Sequence, residues 1–275
     1  MEETIKPLDR NRLSVLVAVL LLGGVLFRFI ELPEHAWELH LLGSPLAIHV
    51  TSTWLLITLM VGLVCTGANL ILHDHPHVGE RLGRPIYVSW ILPGMVAGLS
   101  AYLLASAPTW PMWIGSLLLA GVSIGLVVSA EYNVTSPEAP EYPLSRLALN
   151  TLVYLLAFIF FTIIYHTRTR SLVTATQTML AAALLALDLL SAADAPLRRV
   201  FTFAGVVGLV VGESTWAVNY WQVSAWVGGL FLVLIFYVVV NVAHQHLLER
   251  LRASILVEFA IVAIVVLVII LLKAP

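Results

Sequence analysis

The side chains in this sequence that could do chemistry are few, and they fall beside the ends of long apolar runs. Glu31, His166 and Glu213 are the candidate catalytic residues, because carboxylate and imidazole side chains are the commonest proton donors and acceptors in enzyme sites. Glu34, His35, Glu38, His40, Arg168 and Arg170 fall near Glu31 and His166, and Ser214, Thr215, Trp216, Asn219, Tyr220 and Trp221 follow Glu213. Glu213 carries the most weight. It follows Gly212 at an expected turn within an apolar stretch, where a carboxylate must pair, protonate or face water.

A second group is rich in imidazole. His73, His75 and His77, with Asp74, together with His244, His246 and Glu249, are of the types that ligate divalent metals. Their spacing argues the other way, since residues two apart on a helix point to different faces and Pro76 interrupts any helix there. The spacing also differs from the longer histidine boxes of membrane desaturases. No cofactor is expected. With Lys6 and Lys273 as the only lysines there is no mid-membrane Schiff-base lysine and no phosphate loop of the G-K-S/T kind. The single cysteine, Cys65, excludes an intrachain disulfide and a cysteine-based metal cluster.

These groups must be positioned by elements made for lipid. Hydrophobic residues are 60% of the 275, only 11% are charged, and mean hydropathy is +0.97, which leaves too little polar surface for an aqueous fold. Lipid cannot satisfy backbone N–H and C=O groups, and the continuous apolar runs lack the two-residue alternation of barrel strands. The chain therefore reads as an all-α, polytopic transmembrane helix bundle, a single integral membrane domain over residues 1–275. The first apolar segment is expected to remain as an anchor rather than a cleaved leader. A net charge of −2 with no basic patch excludes nucleic acid as a partner and leaves the lipid bilayer and other membrane subunits.

Nine spans are expected, or eight if one helix is miscounted. Leu13 to Leu32 is the first and Pro45 to Leu72 the second. The uncharged stretch Pro85 to Ala130 holds the third and fourth, broken at Ala107-Pro108-Thr109-Trp110-Pro111. Leu147 to Thr167 and Ser171 to Leu187 are the fifth and sixth. Val200 to Asn241 holds either two spans turning between Gly212 and Trp221 or a re-entrant segment followed by one span, and Ile255 to Leu272 closes the chain. Nine spans with a cytoplasmic N-terminus put ten of the 14 Lys and Arg inside: Lys6, Arg10, Arg12, Arg81, Arg84, Arg146, Arg198, Arg199, Arg250 and Arg252. The re-entrant alternative leaves eight inside against six, so two spans are preferred. The longest inner loop, Glu131 to Arg146, is acidic, and Arg168 and Arg170 fall outside.

Gly121-Val122-Ser123-Ile124-Gly125 matches the G-x-S-x-G string of serine hydrolases. On a helix Gly121 and Gly125 share a face while Ser123 points away, so the spacing instead predicts close helix packing. The same spacing recurs at Gly94 and Gly98 and at Gly208 and Gly212. Asn69, Asn150 and Asn241 are expected to bond across helices. Asp188 and Glu258, nearer the inner helix ends, rank below Glu213.

The stretch Arg28-Phe-Ile-Glu-Leu-Pro33, with Leu42-Gly-Ser-Pro-Leu46 and Gly212-Glu-Ser-Thr-Trp216, resembles uncharacterised bacterial multi-pass membrane proteins. That resemblance implies a bacterial inner (cytoplasmic) membrane and no particular activity. Arg28 followed by Glu31 is also similar to polyprenyl-phosphate-sugar glycosyltransferases, which implies a catalytic acid in the first outer loop. The paired acidic motif and outer domain of those enzymes are missing here. The leading functional expectation is a non-enzymatic membrane subunit or scaffold. The alternatives are a small-solute or lipid transporter and a membrane-embedded transferase acting on a lipid-linked substrate at the outer face.

Overall fold

A computed structural model describes residues 8–29, 35–41, 44–73, 85–136, 139–167, 171–193, 195–221, 223–250 and 252–273. Among them are nine α-helices: α1 (Arg10–Phe29), α2 (Ser52–His73), α3 (Ile91–Ser106), α4 (Trp110–Val134), α5 (Tyr142–Thr167), α6 (Ser171–Leu190), α7 (Leu197–Asn219), α8 (Ala225–Leu247) and α9 (Ala253–Lys273). The first eight are long and apolar enough to cross a bilayer, α3 with the help of the tighter helical turn Ile86–Trp90 that leads into it. Helix α9 is apolar over Ile255–Ile269. The chain is an all-α, polytopic integral membrane protein.

Several boundaries differ from those expected, each for a local reason. The second helix starts at Ser52, because residues before it form an antiparallel hairpin, β1 (His35–Leu41) with β2 (Ser44–Val50), in a register that sets Leu41 opposite Ser44 and His35 opposite Val50. The break at residues 107–109 is where expected, with a proline in the first turn of α4, where its missing N–H costs nothing. Helix α4 then runs on to Val134, so Glu131 is not in a loop but inside the helix, 1% exposed. Helices α7 and α8 are both full length, which removes the re-entrant reading, and the chain turns at residues 220–224 rather than at Gly212.

The helices cluster into two compact units, Met1–Glu80 with Ser89–Arg146, and Arg81–Val88 with Leu147–Pro275. In the first unit, α3 lies on α2 through Gly94, where an added Cβ would sit 3.0 Å from Cys65 Sγ, and through Gly98, against Val61 and Ile57. Helix α4 lies on α1 through Gly121, whose added Cβ would sit 3.2 Å from Leu21 and 3.3 Å from Val17. At the other end of α1, the Arg28 guanidinium lies 5.5 Å over the Trp110 ring, a cation–π contact that gives this charge a partner near the helix end.

In the second unit, α6 and α7 approach closely. An added Cβ at Gly208 would lie 2.7 Å from the Met179 carbonyl oxygen, and one at Gly212 would lie 2.8 Å from Met179 Cβ. All three small-residue pairs therefore mark helix contacts, as their spacing predicts. A fourth, Gly228-Gly229 of α8, admits the Tyr165 ring and Thr162 of α5. Asn241 bonds across helices as expected, its Nδ2 donating to Tyr154 Oη at 3.1 Å. Asn69 and Asn150 make no such bond to another described residue.

Candidate functional site

The C-terminal end of α7 gathers the polar and aromatic groups that the sequence nominates, and their arrangement is a lock between helices of the second unit. Tyr165 of α5 donates its hydroxyl to the carbonyl oxygens of Val218, at 3.2 Å, and Trp221, at 2.7 Å, so one side chain caps the last turn of α7. Asn219 Nδ2 donates to Thr174 Oγ1 at 2.9 Å, and Trp216 Nε1 to the Ser171 carbonyl at 3.1 Å, tying α7 to the start of α6. Trp221 meets Phe231 edge-on, and Phe158 packs against Trp226.

Glu213 does not join this lock. It sits inside α7, six residues or about 9 Å before the helix end, and its side chain is exposed. The buried face of α7 carries Ala204, Val207, Val211, Thr215 and Val218. Glu213 lies on the opposite face with the exposed Val206, Leu209, Trp216 and Tyr220. Around Glu213 that face is apolar apart from the carboxylate, the indole N–H and the phenol, and the Thr202 hydroxyl lies on it nearer the start of the helix.

The remaining nominated residues are dispersed. His166 is exposed in the last turn of α5, while Glu31, Arg168 and Arg170 lie outside the described residues. His73 is exposed at the end of α2, and His75 and His77 also lie outside the described residues. His244 is half-buried and His246 exposed in the last turns of α8, the His246 ring lying 5.2 Å from that of Phe203. Among the described residues, no three His, Cys, Asp or Glu side chains are grouped as a metal site would require.

Two clefts collect polar side chains away from Glu213. A smaller one, about 470 Å³, lies between the start of α7 and the end of α8, where Arg199, Phe203, His246, Leu247 and Glu249 meet. Arg199 and Glu249 approach to 3.8 Å across it, and Glu249 holds a left-handed backbone with φ of 56°. A larger one, about 930 Å³, lies in the first unit between the N-terminal half of α1 and the C-terminal end of α4. Its walls carry Arg10 and Ser14 from α1, Ser129, Tyr132 and Asn133 from α4, and Glu141 from the following connection. Neither Glu213 nor His166 lines either cleft.

Two other carboxylates are far more buried than Glu213. Glu131 of α4 is 1% exposed and Asp188 of α6 is 2% exposed, and each is engaged with other groups. Glu258, in contrast, is exposed on α9. An acid buried at that level in a lipid-facing fold needs partners inside the protein, which Glu131 and Asp188 both have.

A family model, "Protein of unknown function (DUF5656)", matches residues 32–273, which is most of the chain and every helix from α2 to α9. The chain belongs to the DUF5656 family. No curated protein and no solved structure matches it. The DUF5656 match takes in the hairpin, the α7 face bearing Glu213 and all of α4, and it begins after α1. One wall of the larger cleft is therefore inside the matched region and the other is not.

Proposed function

We propose that the chain is a non-enzymatic integral membrane subunit that holds a partner transmembrane helix against the exposed face of α7. The observation that supports this reading is the position of Glu213. A carboxylate on an outward apolar face about 9 Å inside a helix end is unfavourable against acyl chains. A partner helix offering a cation or hydroxyl there would remove that cost, as a polar contact between spans commonly does. Gly205 on the same helix admits close approach, since an added Cβ would meet nothing within 4 Å.

The N-terminus lies on the inner side of a bacterial inner (cytoplasmic) membrane, an orientation supported by the ten-to-four distribution of Lys and Arg. With every helix crossing, Glu213 then lies toward the outer leaflet. Transport or lipid-linked transfer would use Glu213, His166 and Glu31 around a shared cavity. The outward placement of Glu213 and His166 supports the subunit reading instead.

A photoreactive residue at Leu209, introduced in native membranes, tests the proposal. The expected result is one discrete protein adduct that disappears with Glu213→Lys, with none from the same probe at Leu180 on the exposed side of α6. Lipid adducts alone at Leu209 would overturn it.

A further inference from the structure

The larger cleft has the polarity of a phospholipid. Along α1 its wall runs through Arg10, Leu13, Ser14, Val17 and Leu21, the three- and four-residue steps of one helix face. From Arg10 to Leu21 that face spans about 16 Å. The end near Arg10 is polar, and the deeper end near Val17 and Leu21 is apolar. On α4 the polar end is matched by Ser129, Tyr132 and Asn133, which lie at the helix end.

The cleft opens on one side of a close helix contact. Gly121 brings α4 against Val17 and Leu21, and beyond that contact the Arg10 end of α1 and the Ser136 end of α4 leave a gap. The far wall is fixed by Asn133, whose Nδ2 donates to Ser145 Oγ at 3.3 Å and holds the start of α5 to α4. The volume, about 930 Å³, is at the upper end of the usual range for small-molecule sites.

The charges at the mouth select the occupant. Arg10 and Glu141 both line the cleft, carry opposite charge and are exposed, and they form no ion pair with each other. Two unlike charges that line one cleft without pairing to each other fit a ligand with both signs. We infer that this cleft binds a zwitterionic phospholipid with a primary-amine head, its phosphate on Arg10, its ammonium on Glu141 and an acyl chain along Val17 and Leu21. A guanidinium recognises phosphate through its fork of N–H donors, and the carboxylate accepts from the ammonium.

The test uses the full-length chain in detergent, with native mass spectrometry after addition of phosphatidylethanolamine or phosphatidylglycerol. The wild type is expected to retain phosphatidylethanolamine up to about fivefold more strongly, the ratio that one solvent-exposed charge contact supplies. Glu141→Gln should abolish that preference while phospholipid is still retained, and Arg10→Gln should weaken both lipids. Ala18→Trp, placed on the cleft wall, should remove retention at an unchanged Tm. Both charged positions are exposed, so their variants decide the matter even if the tryptophan variant fails to fold. Equal retention of the two lipids by the wild type, or an unchanged preference in Glu141→Gln, would overturn the inference. A photoreactive residue at Ser14 that cross-links to another part of the chain or to a second copy, rather than to phospholipid, would overturn it too.

Discussion

Gly208→Ala should destabilise the α6–α7 pair, whereas Gly205→Ala, three residues earlier on the same helix, should stabilise it. A methyl group at Gly208 would lie 2.7 Å from the Met179 carbonyl oxygen, 2.8 Å from Ala183 Cβ and 3.2 Å from the Ala183 nitrogen. Carbon contacts are comfortable at about 3.5–4.0 Å, and two of these three neighbours are backbone atoms that no rotamer change can move. The helices must separate, and overpacking of this kind costs about 1–3 kcal/mol. Alanine returns up to about 1 kcal/mol of helix propensity at either position. At Gly205 nothing lies within 4 Å of the added carbon, so only the propensity gain of about 0.5–1 kcal/mol remains. Because the propensity contribution is common to both variants, their difference isolates the packing cost, about 1–3 kcal/mol. Reversible unfolding of the two variants of the purified chain in bicelles measures it. Equal stability changes of the same sign would refute the assignment of Gly208 as a packing contact.

Three further outcomes follow from the second unit. Tyr165→Phe removes the donor shared by the Val218 and Trp221 carbonyls, which keep the backbone N–H groups of Trp221 and Val223, and should cost about 0.5–1.5 kcal/mol, with faster amide exchange at the α7–α8 turn and not at mid-helix. Asn241→Ala combined with Tyr154→Phe in a double-mutant cycle should show a coupling of about 0.6 kcal/mol, the usual size for a bond between membrane helices. Zero coupling would mean that the bond contributes nothing. Glu249→Gly relieves a left-handed non-glycine backbone worth about 1–2 kcal/mol and loses only an exposed pair with Arg199, so Tm should hold or rise. A clear fall in Tm would show the carboxylate to be structural.

The spans are legible in the sequence because charge-free length maps directly onto bilayer thickness, and because Pro and Trp at residues 108–111 mark a break that the chain uses. The hairpin is harder to see, since residues 45–50 are uncharged and merge with the second apolar run. The alternation of Trp37, Leu39 and Leu41 with Glu38 and His40 is the two-residue pattern that betrays β1. Glu131 reads as a loop residue because apolarity ends near it, yet a helix ends where its backbone does, and α4 continues to Val134.

Gly212 shows the same ambiguity for the candidate site. Glycine serves both turns and close helix contacts, and here it packs against Met179 and Ala175 while the turn lies beyond Asn219. With the turn displaced, Glu213 falls on the outside of α7. The cleft beside Arg10 has a sequence signal, polar residues at helical spacing on both α1 and α4, but pairing those two helices requires the fold.

The most direct measurement of the subunit reading is the mass of the natively expressed particle after gentle solubilisation, by light scattering with the detergent contribution subtracted. The chain alone is 30.1 kDa. A particle heavier than that, which falls to the single-chain mass with Glu213→Lys and is retained with Leu180→Lys, is the result expected. A single-chain mass for the wild type, or a heavier particle indifferent to Glu213→Lys, would contradict it.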